Sequence, residues 1–143
     1  MVDNPPDEEL RRILGDPKTV AVVGLSDKPD RYSYTVAGYL QHFGHRIIPV
    51  NPFVEEVLGE KSYASLEEIP DEIDVVDVFR GSRHAPGIVE SAIKIGAPVV
   101  WMQEGIVHEE AAQRGREAGL TVVMDRCMKK EHHRLFADHS HEH

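Results

Sequence analysis

The residues in this chain that are best suited to bind an anion follow a short apolar run near the N-terminus. The run, residues 20–23, is rich in β-branched residues, is too short for a helix and stops at Gly24. A strand, a glycine turn and a helix together present unpaired backbone N–H groups and a positive helix end to an anion. The residues of the turn that can donate to an anion are Ser26, Lys28, Arg31 and Ser33. We therefore expect this turn to bind a nucleotide or another phosphorylated ligand, although many α/β proteins have such a turn and no ligand.

A second group of cations follows another apolar run, residues 75–79. Arg80 and Arg83 come directly after it, so four of the sixteen lysines and arginines follow these two runs. The chain carries a formal net charge of −9. In such an acidic chain this clustering indicates a local anion pocket, although exposed charges near loop ends are also common.

The hydrophobic pattern that must position these residues alternates between strands and helices. The five predicted strands are near-continuous apolar runs, which is typical of parallel strands covered by helices on both faces: 19–23, 46–50, 75–79, 98–101 and 120–124. Amphipathic patterns predict helices at 7–15, 33–43, 85–95, 108–118 and 129–136, the second capped by Ser33. Ser65 and Glu68 have the spacing of a capping box for one short helical turn. The fold class is therefore α/β, with a doubly wound, mainly parallel five-stranded sheet and helices on both faces.

The composition of the chain limits the cellular compartments and the classes of partner that we expect for it. No apolar run approaches the ~20 residues of a membrane helix, and the acidic N-terminal stretch lacks the apolar core of a secretory signal. Cys127 is the only cysteine, so no internal disulfide forms, which favours a reducing cytoplasm. The net charge of −9 argues against general nucleic-acid binding, because phosphate backbones are held by excess lysine and arginine.

The whole chain, 1–143, is expected to form one domain. Residues 1–6 are predicted to be a loose leader, and 137–143 a disordered, His-rich tail. Imidazoles bind metals, but a mobile tail rarely holds four ligands in one geometry, so no metal site is predicted. The histidines concerned are His132, His133, His139, His141 and His143. Lys129 and Lys130 are expected to form a solvated helix face.

The predicted site does not match a dinucleotide site. In an open parallel sheet the ligand lies outside the carboxyl ends of the strands, where the strand order reverses. The G-x-G-x-x-G fingerprint is absent, because only Gly24 of it remains. The acid that would bind the ribose 2′-hydroxyl after the second strand is replaced by Asn51 and Pro52. These two departures disfavour NAD but not a ligand with separate phosphates.

Five segments, in this order, resemble the stand-alone CoA-binding domain proteins. They are Val22–Ser26, Ile48–Pro52, Asp74–Arg80, Trp101–Ile106 and Asp125–Cys127. That family is similar to the N-terminal domain of the succinyl-CoA synthetase α subunit, and the resemblance spans about residues 8–135. It implies a Rossmann-like fold in which coenzyme A lies across the strand ends.

The resemblance also implies roles for individual residues. The turn from Gly24 to Ser33 would hold phosphates, and Asn51 and Pro52 would flank the nucleotide end. The pantetheine path would be lined by Val78, Phe79, Arg80 and Gln103. Asp27 and Pro29 interrupt the glycine-rich loop of the synthetase pattern. The synthetase carries its phosphorylated histidine in a second domain that has no counterpart here, so no catalytic residue is assigned.

Several further side chains have two interpretations each. Tyr32 and Tyr34 either cover an adenine ring or pack the helix start onto the sheet, and we favour ligand contact for Tyr34. Glu104 either acts as a base or caps the following turn and orients Gln103, and we favour the second. Cys127 is interpreted as a small buried residue rather than as a nucleophile that pairs with the CoA thiol. Because it follows the fifth strand, we expect it some distance from the site.

The function that these observations favour is binding of CoA or an acyl-CoA, without catalysis by this chain alone. One alternative is a small nucleotide-dependent oxidoreductase or transferase, which would need an acid after the second strand or a paired acid and base in the crevice. Another is an interaction module that binds no ligand. The acyl group and any protein partner stay open.

Overall fold

The computed structural model describes residues 3–136 of the chain. Its helices are α1 (Asp7–Gly15), α2 (Tyr32–His42), α3 (Ala85–Ile95), α4 (Glu109–Glu117) and α5 (Met128–Leu135). Its strands are β1 (Thr19–Val23), β2 (Arg46–Val50), β3 (Glu56–Val57), β4 (Glu60–Lys61), β5 (Val75–Val78), β6 (Val99–Met102) and β7 (Thr121–Val123). Short 3₁₀ turns cover Leu66–Glu68 and Ser82–His84.

Five of these strands form a parallel sheet in the order β2-β1-β5-β6-β7. This confirms the predicted α/β, Rossmann-like, doubly wound class. The chain first crosses from β1 to β2 on one side and then returns to place β5 on the other side of β1. The strand order therefore reverses between β1 and β5, and the carboxyl ends of these two strands form the switch point where ligands bind in such sheets.

Both faces of the sheet are covered, which explains why its strands are apolar along their whole length. Successive side chains of a strand point to opposite faces. In β1, Val20 and Val22 pack against α1, α2 and α5, whereas Ala21 and Val23 pack on the face of α3 and α4. The sequence pattern of both faces is therefore set by burial.

Along the chain, β2 is followed by a separate two-stranded antiparallel hairpin of β3 and β4, and β5 comes after it. It was not predicted, because each strand has only two residues and the hydrophobic pattern needs a longer run. Its turn holds Leu58 at φ 54° and Gly59 at φ 79°. The hairpin is joined to the main sheet by a bridge from Val50 to Tyr63.

The segment expected to be a loose leader is held against the sheet where the structure describes it. The Asn4 side chain donates to the carbonyl of Met124 (2.8 Å) and accepts from the Met124 N–H (2.7 Å). These bonds extend the edge next to β7, so residues 3–6 are attached rather than loose. The predicted His-rich tail, 137–143, lies outside the described residues.

No helix within residues 3–136 is both long enough and apolar enough to cross a membrane.

Candidate functional site

The turn after β1 is held open by hydrogen bonds from its own serines. The Ser26 N–H donates to Ser33 Oγ (3.1 Å), and the Lys28 N–H donates to Ser26 Oγ (3.1 Å). Ser33 was predicted to cap α2, but the helix begins one residue earlier, at Tyr32, with Arg31 as its N-cap. Ser33 therefore ties the turn to the first helical turn. This bond fixes the path of the loop in spite of Asp27 and Pro29, which interrupt the glycine-rich pattern.

The first turn of α2 presents free backbone donors. The first N–H groups of any helix have no partner within the helix. The cap residue Arg31 makes no side-chain hydrogen bond to them, and the N–H groups of Tyr32, Ser33 and Tyr34 have no acceptor within residues 3–136. The side chains of Lys28 and Arg31 are exposed beside this turn. Together they form a place where an anion can accept hydrogen bonds from the backbone at the positive helix end.

Asn51 connects the glycine turn to the end of β2. Its Nδ2 donates to the Leu25 carbonyl (2.9 Å), and its Oδ1 accepts from the Phe53 N–H (2.9 Å). The side-chain amide is therefore occupied in shaping the loops. Pro52 and Phe53 follow as exposed residues, and the Phe53 side chain is 91% exposed. A carboxylate in place of Asn51 could not donate to Leu25, which gives a structural reason for the amide here.

Gly24 and Arg80 meet at the switch point. Gly24 has φ +89°, and a Cβ at this position would lie 3.0 Å from Arg80 Cδ and 3.4 Å from the Phe79 carbonyl carbon. The glycine is therefore needed both for its left-handed backbone and for the close approach of the β5 loop. The structure brings the two predicted phosphate-binding segments, after β1 and after β5, into direct contact.

Arg80 belongs to a basic cluster that also contains Arg83 and His84. Arg80 Nη2 lies 3.1 Å from His84 Nε2, and Arg83 Nε donates to the same nitrogen at 3.3 Å. Burial and the two guanidinium groups lower the pKa of His84, which keeps the imidazole a neutral acceptor. No carboxylate within residues 3–136 pairs with either arginine. His84 was not predicted, although three basic residues within 80–84 were a visible signal.

Two pockets meet at Arg80. One, of about 220 Å³, is lined by Gly24, Val50, Asn51, Pro52, Phe53 and Arg80. The other, of about 260 Å³, continues past Arg80 and Val50 towards α3, and its polar lining includes Ser65, Glu67, His84 and Ser91. These pockets lie at the carboxyl ends of β1, β2 and β5, where the ligand was predicted.

Gln103 has a different environment from the one expected of a residue that lines an open ligand path. It is 1% exposed, and its Nε2 donates to Oδ1 of Asp77, which is fully buried in β5. Among the described residues, Asp77 Oδ2 and Gln103 Oε1 have no hydrogen-bond partner. Burial raises the pKa of Asp77 to about 8, against the lowering effect of the Gln103 bond. A proton on Asp77 removes the cost of a buried, unpaired negative charge. Asp77 was not singled out from the sequence, although an acid inside an apolar strand was the signal.

Glu104, Lys130, Tyr32 and Cys127 form a polar cluster on the other side of the switch point. Lys130 Nζ pairs with Glu104 at 2.9 Å, and Tyr32 Oη donates to Cys127 Sγ at 2.6 Å. Glu104 was predicted to cap the following turn and to orient Gln103. In the structure its carboxylate instead pairs with Lys130. The Gly105 N–H donates instead to Asp125 (2.7 Å). Lys130 lies on an exposed helix face, as predicted, and there it forms the ion pair with Glu104.

Cys127 is buried, as expected, but it is not far from the predicted site. It is 1% exposed and follows β7, which is an edge strand. The loop after β7 returns across the strand ends and places the thiol against Tyr32, next to Ser33. Burial and then the bond to Cys127 raise the pKa of Tyr32, so the phenol remains a donor at neutral pH.

Three predicted site residues contribute less side chain to the crevice than the resemblance implied. Val78 is fully buried on the face of α3 and α4, so only its backbone can meet a ligand. Phe79 is partly buried and packs edge-on against Tyr32, with ring centroids 6.3 Å apart. Tyr34 is partly buried against the core beneath α2. The ligand contact favoured for Tyr34 stays a prediction.

The arrangement is suited to anion binding. Free N–H groups, a close glycine approach and guanidinium groups without a carboxylate partner in residues 3–136 lie together at one edge of the sheet. Within residues 3–136, no group of three His, Cys, Asp or Glu side chains is placed to hold a metal ion.

Comparisons with known proteins identify the family. The sequence model of the CoA binding domain matches residues 18–133. The uncharacterized protein YneT of Bacillus subtilis (strain 168) is 49% identical over 131 residues, which are 92% of this chain and 97% of YneT. A hypothetical protein from Pyrococcus horikoshii OT3 has a solved structure with a TM-score of 0.87 and 46% identity, covering 94% of this chain and 99% of that one.

Larger enzymes contain a related segment. The ADP-forming acetate–CoA ligase of Methanocaldococcus jannaschii is 32% identical over 90 residues, which are 63% of this chain but 13% of the ligase. The matched part is thus a small piece of the enzyme, whereas the family model covers most of this chain. The chain belongs to the CoA-binding domain family, as a small domain similar to the CoA-binding domain of the synthetases.

Proposed function

We propose that this protein binds CoA or an acyl-CoA at the carboxyl ends of β1, β2 and β5, without catalysis by this chain alone. The observation that carries the proposal is that two anion-binding elements follow β1 and β5, the neighbouring strands at the switch point. One is the uncapped start of α2, and the other is Arg80, which touches the glycine. CoA has both a diphosphate and a separate phosphate monoester, so it offers an anion to each element.

The diphosphate is proposed to bind the turn from Gly24 to Ser33. The free N–H groups of the first turn of α2 would donate to it, with Lys28 and Arg31 supplying positive charge. The turn also contains two exposed acids, Asp27 and Asp30, so its net charge is balanced. Directed N–H groups rather than net charge are therefore expected to contribute most of the affinity for the diphosphate.

The nucleotide is proposed to lie beside Asn51, Pro52 and Arg80, in the pocket of about 220 Å³. NAD is disfavoured because the end of β2 lacks the acid that receives the ribose hydroxyls in dinucleotide sites. The amide that replaces it already donates to Leu25 and accepts from Phe53.

Absence of catalysis is proposed because the reactive side chains near the strand ends have partners or are buried. The Cys127 thiol is 1% exposed and accepts from Tyr32. Glu104 forms an ion pair with Lys130, and Asp77 is sealed in the sheet. A nucleotide-dependent enzyme would need an acid or base that is free to reach its substrate. CoA in this chain would then serve as a bound signal or as cargo.

Isothermal titration calorimetry with CoA and NAD tests the proposal. We expect CoA to bind far more tightly than NAD, and native mass spectrometry of protein purified from its own host should show a CoA-sized adduct. A test variant is Gly24→Val, which places a branched side chain against Arg80 and should weaken CoA binding. Equal affinity for the two ligands, or binding of NAD alone, would contradict the proposal.

A further inference from the structure

The basic cluster of Arg80, Arg83 and His84 has an arrangement that its own contacts do not explain. Two guanidinium groups point at one imidazole nitrogen, His84 Nε2, at 3.1 and 3.3 Å. Two positive groups thus share one neutral acceptor, and no carboxylate within residues 3–136 compensates them. The three side chains converge on a point that an anion with several oxygens would occupy better than one imidazole nitrogen does.

The loop that carries the cluster is fixed in place. The Ser82 hydroxyl accepts from the Val107 N–H (3.0 Å), which joins the loop after β5 to the loop after β6. The His84 N–H donates to the Gly81 carbonyl (2.9 Å) within the 3₁₀ turn. The positive end of α3 begins directly after His84. The cluster is therefore organised before any ligand arrives.

The charge of the cluster matches a phosphate monoester. Such a group carries about −1.5 to −2 charges at neutral pH and has three strong acceptor oxygens. Each arginine can donate two parallel hydrogen bonds to it. The pocket beside the cluster also contains Glu67, whose carboxylate accepts from Ser91 (2.9 Å). Repulsion from Glu67 would keep the phosphate at the Arg80 end of this pocket.

The cluster lies next to the proposed diphosphate site, because Arg80 contacts Gly24. A nucleotide whose diphosphate lies on the first turn of α2 would place its ribose near Arg80. A second phosphate on that ribose could then reach the cluster. NAD and dephospho-CoA lack this phosphate, whereas CoA carries it on the ribose 3′-oxygen.

We propose that Arg80, Arg83 and His84 form a subsite for the 3′-phosphate of the ligand, so that the protein discriminates CoA from dephospho-CoA. This inference rests on the proposed CoA binding. It assigns a specificity role to Arg83 and His84, whereas the turn after β1 accounts only for the diphosphate.

Calorimetric titration of the full chain with two ligand pairs tests the subsite. CoA and dephospho-CoA differ only in the 3′-phosphate, as do adenosine 3′,5′-bisphosphate and AMP. We expect the unmodified protein to prefer the 3′-phosphorylated member of each pair by about ten-fold or more. Arg83→Ala and the similarly sized Arg83→Gln should bring both ratios close to one. Affinity for dephospho-CoA should change by less than about two-fold. Arg11→Ala, which removes an exposed arginine from α1, should leave both ratios unchanged.

The outcomes separate this inference from the proposed function. Equal affinity for CoA and dephospho-CoA would overturn the subsite and leave CoA binding intact. A preference for adenosine 3′,5′-bisphosphate that depends on Arg83, without measurable CoA binding, would support the subsite and contradict the proposed function. Failure to bind any of the four ligands would overturn both. A ratio that survives in both Arg83 variants would remove Arg83 from the subsite.

Discussion

Two regions of the molecule differ in whether their arginines have carboxylate partners. At the carboxyl ends of β1 and β5, Arg31, Arg80 and Arg83 have no carboxylate partner within residues 3–136. At the corner between α1 and α5, Arg134 donates to Asp7 (2.8 and 2.9 Å) and to Glu131 (3.0 Å). One region leaves its positive charges available, and the other uses them to join two helices.

The contrast continues in the neutral groups of the helix corner. The Tyr39 hydroxyl lies 2.9 Å from His132 Nδ1, and the Lys18 N–H donates to His45 Nδ1 at 3.0 Å. Burial lowers the pKa of both histidines, so they stay neutral and have internal partners. In a chain with 25 acids and only 16 lysines and arginines, carboxylates are plentiful. Arginines without carboxylate partners at one edge are what the proposed binding of an anionic ligand requires.

The largest effect that we expect is the contribution of Asp77 to the pH dependence of the free energy of unfolding. Asp77 lies in the sheet between these regions and should not affect ligand affinity. The unfolded carboxyl titrates near 3.8, whereas burial raises the pKa of the folded one to about 8. The folded state thus keeps a proton that the unfolded state loses, and stability should fall as pH rises from about 4 to about 8. The slope within this window should approach about 1.4 kcal/mol per pH unit.

Asp77→Asn should remove that contribution to the slope, because the amide oxygen can still accept from Gln103 Nε2 and the amide carries no charge. Urea denaturation at several pH values from 4.5 to 8 measures it. The exposed Asp16→Asn serves as the control and should retain the slope. The same pH dependence in the parent protein and in Asp77→Asn would show that Asp77 is ionised in the fold.

Next in size is the effect of the strand-end cations on ligand affinity. Lys28→Ala, Arg31→Ala and Arg80→Ala should each weaken CoA binding by about ten-fold or more, because a hydrogen bond to a charged group contributes roughly 1.5–3 kcal/mol. Their melting temperatures should stay unchanged, since these side chains support no contact that the fold needs. Arg46→Ala is the matched control, because Arg46 pairs with Asp71 at the opposite end of β2. A variant with unchanged affinity would remove its residue from the site.

Arg134→Ala should show the reverse behaviour, with loss of stability and no loss of CoA affinity. The arginine joins α1 to α5, and without it Glu131, whose side chain is only 12% exposed, loses its closest positive partner. Because Arg134 and Asp7 are about half exposed, we expect a loss of only about 1 kcal/mol. Thermal unfolding and CoA titration of the same samples measure both quantities. If Arg134→Ala weakened CoA binding without a loss of stability, the helix corner would not differ in function from the strand ends.

The smallest effect should come from substitution of Cys127. Its thiol contacts Tyr32 at the edge of the site, but it is buried and cannot reach a ligand. Cys127→Ser should leave CoA affinity within about two-fold, because serine can still accept from the Tyr32 hydroxyl. Cys127→Ala should cost stability on the order of 1 kcal/mol through lost packing. Intact-mass measurement after incubation with oxidised CoA gives an independent test. A mixed disulfide that forms readily on the parent protein and is absent from Cys127→Ser would make the thiol functional.

The sequence predicts which strand ends meet at the candidate site. Gly24 after β1 and Arg80 after β5 are adjacent because parallel strands end at the same edge and the order reverses between these two. Side-chain roles were harder to predict. Gln103 was predicted at the ligand, but it faces a buried acid, and Glu104 was assigned to a turn that Asp125 caps instead. The partners that the structure gives these two residues, Asp77 and Lys130, each lie 26 residues away along the chain.

The sequence by itself determined the order of strands and helices, the parallel sheet and the edge at which ligands should bind. These features follow from local hydrophobic patterns and from general rules for connecting strands. Only the tertiary structure decided that Arg80 touches Gly24, that His84 lies between two arginines, and that Cys127 returns to Tyr32. Such contacts depend on loop paths and rotamers, which are set by the packing of distant segments against each other. A periodic pattern shows which face of an element is buried, but not which neighbour it meets.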